Sequence, residues 1–378
     1  MERVLIIGGG VVGASAAYHL ADAGVQAVLV DRHDPGHATA AGAGIIAPGT
    51  SLRSLPAFFP FAADAVRAYP DLIARLAELD AGDTRYEVVG DLFVATTESE
   101  HAELPRIQEL FEERRAGGMP NVGETRILDG REARELAPML GDVPGAIYVP
   151  EAARVDGGCL RDALVTAAGR RGAAVMRGEA RIVSARDDMV EVTIDGESRE
   201  FDRVIVAAGS WANAALEPLG VSVPVAPQKG QIMHLDLGDR DTSRWPIIGG
   251  FGSQYILSFA PNRVVCGATR ETGSGYDLRV TAAGLHSVSS EALRVAPGLA
   301  DAELVEVRVG LRPLSADGLP FIGRVNGHEA VVACIGHGPS GLQLGPCSGR
   351  LAAELAMGVP PSSDIAPFAL DREVTPMV

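Results

Sequence analysis

RVLIIGGGVVGASAAYHLADAGVQAVLVD, residues 3–31, decides the fold class. Its opening aliphatic run, Val4 to Ile7, stops at three glycines, the pattern of a strand buried on both faces. From Val11 to Ala23 small and apolar residues suit a helix lying close against a sheet, and Gly24 stops it. Ala27 to Val30 then forms a second buried strand ending at Asp31. Together these make a β-α-β unit of roughly 30 residues. At its turn Gly8-Gly9-Gly10-Val11-Val12-Gly13 fits the GxGxxG pattern. Gly8 permits the tight turn, Gly10 lets a pyrophosphate approach the backbone, and Gly13 lets helix and strand pack closely. The first helical turn, with Val11 and Val12, offers amides and a positive dipole to phosphates. Asp31 stands eighteen residues beyond Gly13, where a carboxylate takes ribose hydroxyls and repels a 2′-phosphate. A dinucleotide other than NADP is expected, with FAD and NAD both open.

Downstream the pattern changes. Residues between Pro35 and Pro48 are rich in Ala and Gly and read as a loop. Ala62–Leu79 and Glu98–Ala116 read as amphipathic helices, with a hairpin from Tyr86 to Thr96 between them. A helix follows over 156–172 with Asp156 as cap, then several strands over 175–206 with a turn at Asp195-Gly196. Strands at 231–237, 254–259 and 264–269 suggest a second, antiparallel sheet, and a helix is expected over 283–295. Buried strands at 305–311 and 330–335 and a helix over 342–357 close the chain. At 378 residues it is about two and a half times the ~150-residue prior for one domain. The expected architecture is α/β: a Rossmann-type dinucleotide-binding domain with a discontinuous mixed-sheet α+β substrate domain. The expected boundaries are 1–84, 145–221 and 308–378 for the former, 85–144 and 222–307 for the latter.

Lys plus Arg number 33 against 49 Asp plus Glu, a formal charge of −16. Such a surface disfavours nucleic acid and anionic lipid as partners. Cys159, Cys266, Cys334 and Cys347 lie far apart without a CxxC pair, so neither a zinc site nor a disulfide framework is indicated, and no metal is expected. No unbroken apolar stretch reaches the ~18 residues of a membrane span, and a cytoplasmic location is expected. Lys229 is the only lysine beside 32 arginines, and chance or structure is favoured over function for it.

Asp31-Arg32 and the small-residue loop from Ala38 to Pro48 resemble the FAD-dependent D-amino-acid oxidase superfamily, which includes glycine oxidase, sarcosine oxidase and small D-amino-acid dehydrogenases. The resemblance continues at VIVAAGSW (204–211), PQKGQ (227–231) and QYILSFAPNRVVCGAT (254–269). It is most specific at GLRPLSADGLPFIG (310–323) and GHGPSGLQLGPCSG (336–349). These blocks span nearly the whole chain and turn the open dinucleotide question to non-covalent FAD.

The resemblance implies roles residue by residue. Arg312 matches the arginine that pairs with the substrate carboxylate, a task suited to its planar fork. Tyr255 matches an aromatic of the substrate pocket, and His337 is a candidate for proton transfer. FAD contacts are implied at Gly8, Gly10, Val11, Val12, Gly13, Asp31, Arg32, Ala38, Thr39, Ala43, Gly44 and Ile45. Further contacts are implied at Arg181 (through its backbone), Ala208, Gly209 and Trp211, and along the loop Gly336, His337, Gly338, Pro339, Ser340, Gly341, Leu342 and Gln343. Pro339 stands where glycine oxidase carries a basic residue, which weighs against glycine itself as the preferred substrate. The implied reaction is oxidation of an amino acid at its α C–N bond by hydride transfer to flavin N5, giving the imine or 2-oxo acid. Because 247–251, in the loop 245–253, is apolar, glycine-rich and free of acids, small neutral amino acids are expected, D-configured or glycine-like. Sarcosine-type N-methyl amino acids and a role as FAD subunit of a heteromeric dehydrogenase are the alternatives. O2 or a quinone-type carrier is the expected acceptor, and a homo-oligomer is left open.

Overall fold

The computed structural model describes residues 2–252 and 254–376. Ser253, at the end of the loop 245–253, lies outside them. Arg3–Ile7 and Gln26–Asp31 are parallel strands joined by the helix Val11–Asp22, as the opening stretch requires. They sit at the centre of a six-stranded sheet whose spatial order is Phe321–Val325, His328–Ile335, Arg203–Val206, Arg3–Ile7, Gln26–Asp31, Ala174–Arg177. All neighbours are parallel except the antiparallel pair Phe321–Val325 and His328–Ile335. The strands are aliphatic throughout because both faces are covered.

One face of this sheet carries three mutually packed helices, Val11–Asp22, Gly157–Arg170 and Gly341–Ala356. The first meets the last at unusually short range: a Cβ on Gly349 would lie 2.4 Å from the Val12 carbonyl oxygen. That contact sets the residues just before Gly341 beside the dinucleotide turn. Gly13 makes the corresponding helix–strand contact, since a Cβ there would fall 1.8 Å from Gly8 O.

A larger mixed sheet is built around the long antiparallel pair Val225–Asp236 and Glu303–Ser315. Arg263–Gly267, Tyr255–Phe259, Ile247–Gly250, Asp91–Ala95, Gly145–Val149 and Arg126–Asp129 continue it outward from Val225–Asp236. Lys229, only 1% exposed, lies between Glu271 (3.5 Å) and Asp277 (3.4 Å). A buried ammonium needs such paired carboxylates, so this lysine is a structural group.

The structure corrects several expectations. Residues 62–79 form two helices, Phe58–Arg67 and Tyr69–Glu78, because Pro70 has no N–H with which to continue the first. Glu87–Val88 and Asp91–Ala95 are not a hairpin: Val89 N and Gly90 N both donate to Ala152 O, and the chain crosses there between sheets. Residues 38–41 are a helical turn and 45–46 a short strand within the supposed loop. Gly145–Val149, expected with the dinucleotide-binding segments, belongs to the large sheet, where Ala146 packs against Leu92 and Leu128 and Ile147 against Phe93 and Phe111. Arg308 to Ser315, also expected there, hydrogen-bonds with Val225–Ile232. Among the described residues no helix is long and apolar enough to cross a membrane.

Gly13→Ala tests the helix–strand contact against Gly8. The added methyl has no room, and we expect a loss of about 1–3 kcal/mol in unfolding free energy, read by denaturant titration. Wild-type stability in this variant would disprove the contact.

Candidate active site

A cavity of about 530 Å3 runs from the GxGxxG turn to the inner end of the large sheet. It is lined by the implied FAD contacts except Gly13, Gly336 and Ser340, and by Tyr255, Arg312 and His337. Gly13 acts behind the wall through its contact with Gly8. Ser340 stands outside the lining, its Oγ accepting from Arg53 Nη1 at 2.6 Å.

Two helices begin at this cavity, at Val11 and at Gly341, and neither N-cap, Gly10 or Ser340, caps its helix through a side chain. Apart from Val11 N, the amides of their first turns carry no side-chain cap and suit an acceptor such as a diphosphate or a carbonyl edge. Thr39 Oγ1 accepts from Val11 N at 3.1 Å and so fixes the first turn. At the opposite wall Gln343 Nε2 is buried without a protein partner among the described residues. A donor left so is aimed at something the cavity holds. Asp31, at the end of its strand, accepts from Gly9 N and from His33 N (2.6 Å). Arg32 and Arg181 each reach Glu179 at 3.0 Å, so their side chains are tied to one another and the lining they contribute is mostly backbone. The cavity therefore fits FAD along its length.

The substrate end lies where the large sheet meets this groove. Gln228 pairs with Arg312 in the ladder, and the Arg312 side chain folds over Gly230, where a Cβ would sit 2.5 Å from its guanidinium nitrogens. Nη1 donates to Thr269 O at 3.0 Å. No carboxylate pairs with Arg312 among the described residues, and burial holds its pKa below the usual guanidinium value. The Tyr255 hydroxyl lies over Gly267 in the same way, 2.6 Å from where a Cβ would be. Burial raises the phenol's pKa, and the positive charge of Arg312 offsets part of that rise. Tyr255 is thus a neutral donor beside an uncompensated cation.

His337 does not fit the part of a proton carrier. Its ring is buried, Nε2 lies 2.9 Å from Ser348 Oγ, and burial lowers its pKa to about 4. Among the described residues of 245–253 none lines the cavity either. Ile247–Gly250 is a strand, and Phe251 packs edge-on to Phe93 with ring centroids 5.0 Å apart. Arg270 does line it, which sequence reasoning passed over because one arginine in 32 carries no signal. Gly230 and Gly267 were legible only as members of the quoted blocks, not as the clearances that seat Arg312 and Tyr255.

Residues 3–355 match the FAD dependent oxidoreductase (DAO) family, and the chain belongs to it. The "Uncharacterized oxidoreductase YurR" of Bacillus subtilis is 41% identical over 97% of this chain and 98% of its own. Glycine oxidase of Pseudomonas aeruginosa is 32% identical over 97% and 98%. The crystal structure of iminodiacetate oxidase from Chelativorans sp. BNC1 superposes with a TM-score of 0.93 at 40% identity, covering 97% of this chain and 99% of that one. The protein is an FAD-dependent oxidoreductase related to glycine oxidase and iminodiacetate oxidase.

Neutral burial of His337 has a measurable sign. Its folded pKa lies below the unfolded value of about 6.5, so the unfolded chain binds the extra proton and stability falls as pH drops through 6.5 towards 4. His337→Gln removes that contribution. The stability difference, wild type minus variant, should therefore shrink by up to about 1.4 kcal/mol per pH unit over this window. Denaturant titrations at pH 7 and pH 5 measure it, and a difference independent of pH would contradict a neutral, buried ring.

Proposed function

We propose that the protein oxidises the Cα–N bond of a small α-amino acid, glycine-like or D-configured, while Arg312 and Tyr255 hold its α-carboxylate. The observation that carries this is the Arg312 guanidinium, turned over Gly230 at the cavity and unpaired with any acid among the described residues. A carboxylate completes it bidentately, with the neutral Tyr255 hydroxyl as a further donor. The two named relatives support a glycine-type unit, because glycine and iminodiacetate share a carboxylate, one methylene and a nitrogen.

Bound FAD supplies the two-electron acceptor for the hydride leaving Cα. Arg312 and Tyr255 fix the carboxylate and so place Cα, converting an encounter into a held geometry. The helix beginning at Gly341, with the Gln343 amide, presents donors to negative charge that develops on the cofactor side. Substrate loses Cα–H and an N–H proton and becomes the imine, which water converts to a 2-oxo acid and an amine. No side chain needs to act as a strong base, because the neutral amine's lone pair drives the step. O2 or a quinone-type carrier then takes the electrons.

Purified protein should be yellow and release its flavin on acid precipitation. Mixed anaerobically with glycine, sarcosine, and D- and L-amino acids, it should bleach with those carrying the glycine-type or D-configured unit. Bleaching by L-amino acids or 2-hydroxy acids alone would sink the assignment. Arg312→Leu should raise KM about a hundredfold or more while FAD stays bound, the loss of a charge-assisted bidentate pair. An unchanged KM removes Arg312 from this role.

A further inference from the structure

The cavity holds more positive charge than one α-carboxylate can balance. Arg270 follows the strand Arg263–Gly267 and lines the cavity on the same side as Arg312 and Tyr255. Arg53 stands on the adjoining segment before the helix Phe58–Arg67, half-buried, with Nη1 donating to Ser340 Oγ and its guanidinium carbon 5.6 Å from the Phe58 ring centroid. None of the three arginines makes a salt bridge among the described residues, in a chain where most other arginines do. Burial lowers the pKa of both Arg53 and Arg312, and the positive charge of Arg270 lowers each further. The acid next in sequence is already engaged. Glu271 accepts from Thr269 Oγ1 (2.6 Å) and Gln231 Nε2 (2.7 Å) and lies 3.5 Å from Lys229. Asp277, the other acid of this region, pairs with Lys229 and Arg279.

Like charges gathered at one cavity without counter-charges are held at a cost that a bound anion relieves. Arg312 is matched by the α-carboxylate. Arg270 remains on the cavity wall, while Arg53 lies outside the lining against Ser340, and a substrate ending in a methyl or a hydrogen leaves Arg270 unmatched. We infer that Arg270 forms a second anion subsite, and that the preferred substrate is an amine with two carboxylate arms. This rests on the oxidation proposed above and replaces the neutral side chain expected from 247–251, a segment that lies away from the cavity. A cationic side chain is disfavoured by Arg270 and Arg312, which both line the cavity. The second carboxylate is carried on the nitrogen, as in an N-carboxymethyl amino acid, or on the α-carbon, as in D-aspartate. The chemistry recognised is the same in both.

Binding separates this subsite from turnover. Oxydiacetate has two carboxylate arms around an ether oxygen and has no amine to oxidise, and methoxyacetate is its one-armed counterpart. Each is titrated into FAD-loaded protein and followed by the flavin absorbance. Wild type should bind oxydiacetate on the order of tenfold to a hundredfold more tightly than methoxyacetate. Arg270→Met should bring that ratio to within about threefold of one, and Arg270→Lys should retain part of it. Arg270 is exposed, so its variants are expected to fold, and the melting temperature and FAD content of each confirm it. A wild-type ratio near one, or a ratio unaltered in Arg270→Met, overturns the subsite. Steady-state rates with iminodiacetate and D-aspartate against glycine then tell which arm bears the second carboxylate. Oxydiacetate preference without bleaching by any amine refutes the oxidation and leaves the subsite standing, whereas oxidation of glycine and sarcosine with a ratio near one refutes the subsite alone.

Discussion

The ladder between Val225–Asp236 and Glu303–Ser315 is the constraint on which the site depends. It sets Gln228 opposite Arg312 and Gly230 opposite Gly310, and it ends where three other segments attach. Leu311 donates its N–H to Gly36 O at 2.8 Å and accepts at its carbonyl from Ser210 Oγ at 2.9 Å, while Leu314 bridges to His337. One strand end thus joins the loop after the dinucleotide unit, the turn after Arg203–Val206 and the loop before the last helix. A slip of one residue would turn the Arg312 side chain to the opposite face and separate it from Thr269 and Tyr255. The bulge in this ladder, between His234 and Leu235, lies towards the far end and leaves the Arg312 register untouched.

The cavity's electrostatics run against those of the chain as a whole. A formal charge of −16 is spread over the surface, yet the cavity gathers two helix N-termini and the guanidiniums of Arg312 and Arg270, unpaired among the described residues. Local field, focused by low-dielectric walls, decides what enters a cleft, and net charge decides solubility and wide-area partners. An anionic cofactor and an anionic substrate are therefore compatible with an acidic protein.

The dinucleotide half of the fold was legible because its signals are local. A buried strand, a glycine turn and an apolar helix follow one another within 29 residues, and the acid at Asp31 completes them. The Asp156 cap and the Asp195-Gly196 turn were legible for the same reason, and both appear in the structure: Asp156 Oδ1 accepts from Gly158 N and Cys159 N, and both turn residues have positive φ. What failed was non-local. Nothing near Tyr86 announces that Glu87–Val88 will pair with Ala153–Arg154 while Asp91–Ala95 joins another sheet. Arg53 and Arg270 lie 217 positions apart, and only the folded chain brings their charges within reach of one another. His337 was a candidate through the resemblance, and the inward turn of its ring to Ser348 could be read only from the folded chain.

The strand order of the six-stranded sheet also bears on how the chain is made. Arg3–Ile7 and Gln26–Asp31 leave the ribosome first, but their outer neighbours are Arg203–Val206 and Ala174–Arg177, and the sheet is complete only with His328–Ile335. The glycine-mediated seat on Val12 is filled later still, by Gly349. Through most of synthesis an aliphatic parallel edge therefore waits for partners more than 140 residues away. Such edges are slow to pair and prone to pair wrongly, so the nascent chain needs its hydrophobic strands shielded until the final fifth emerges.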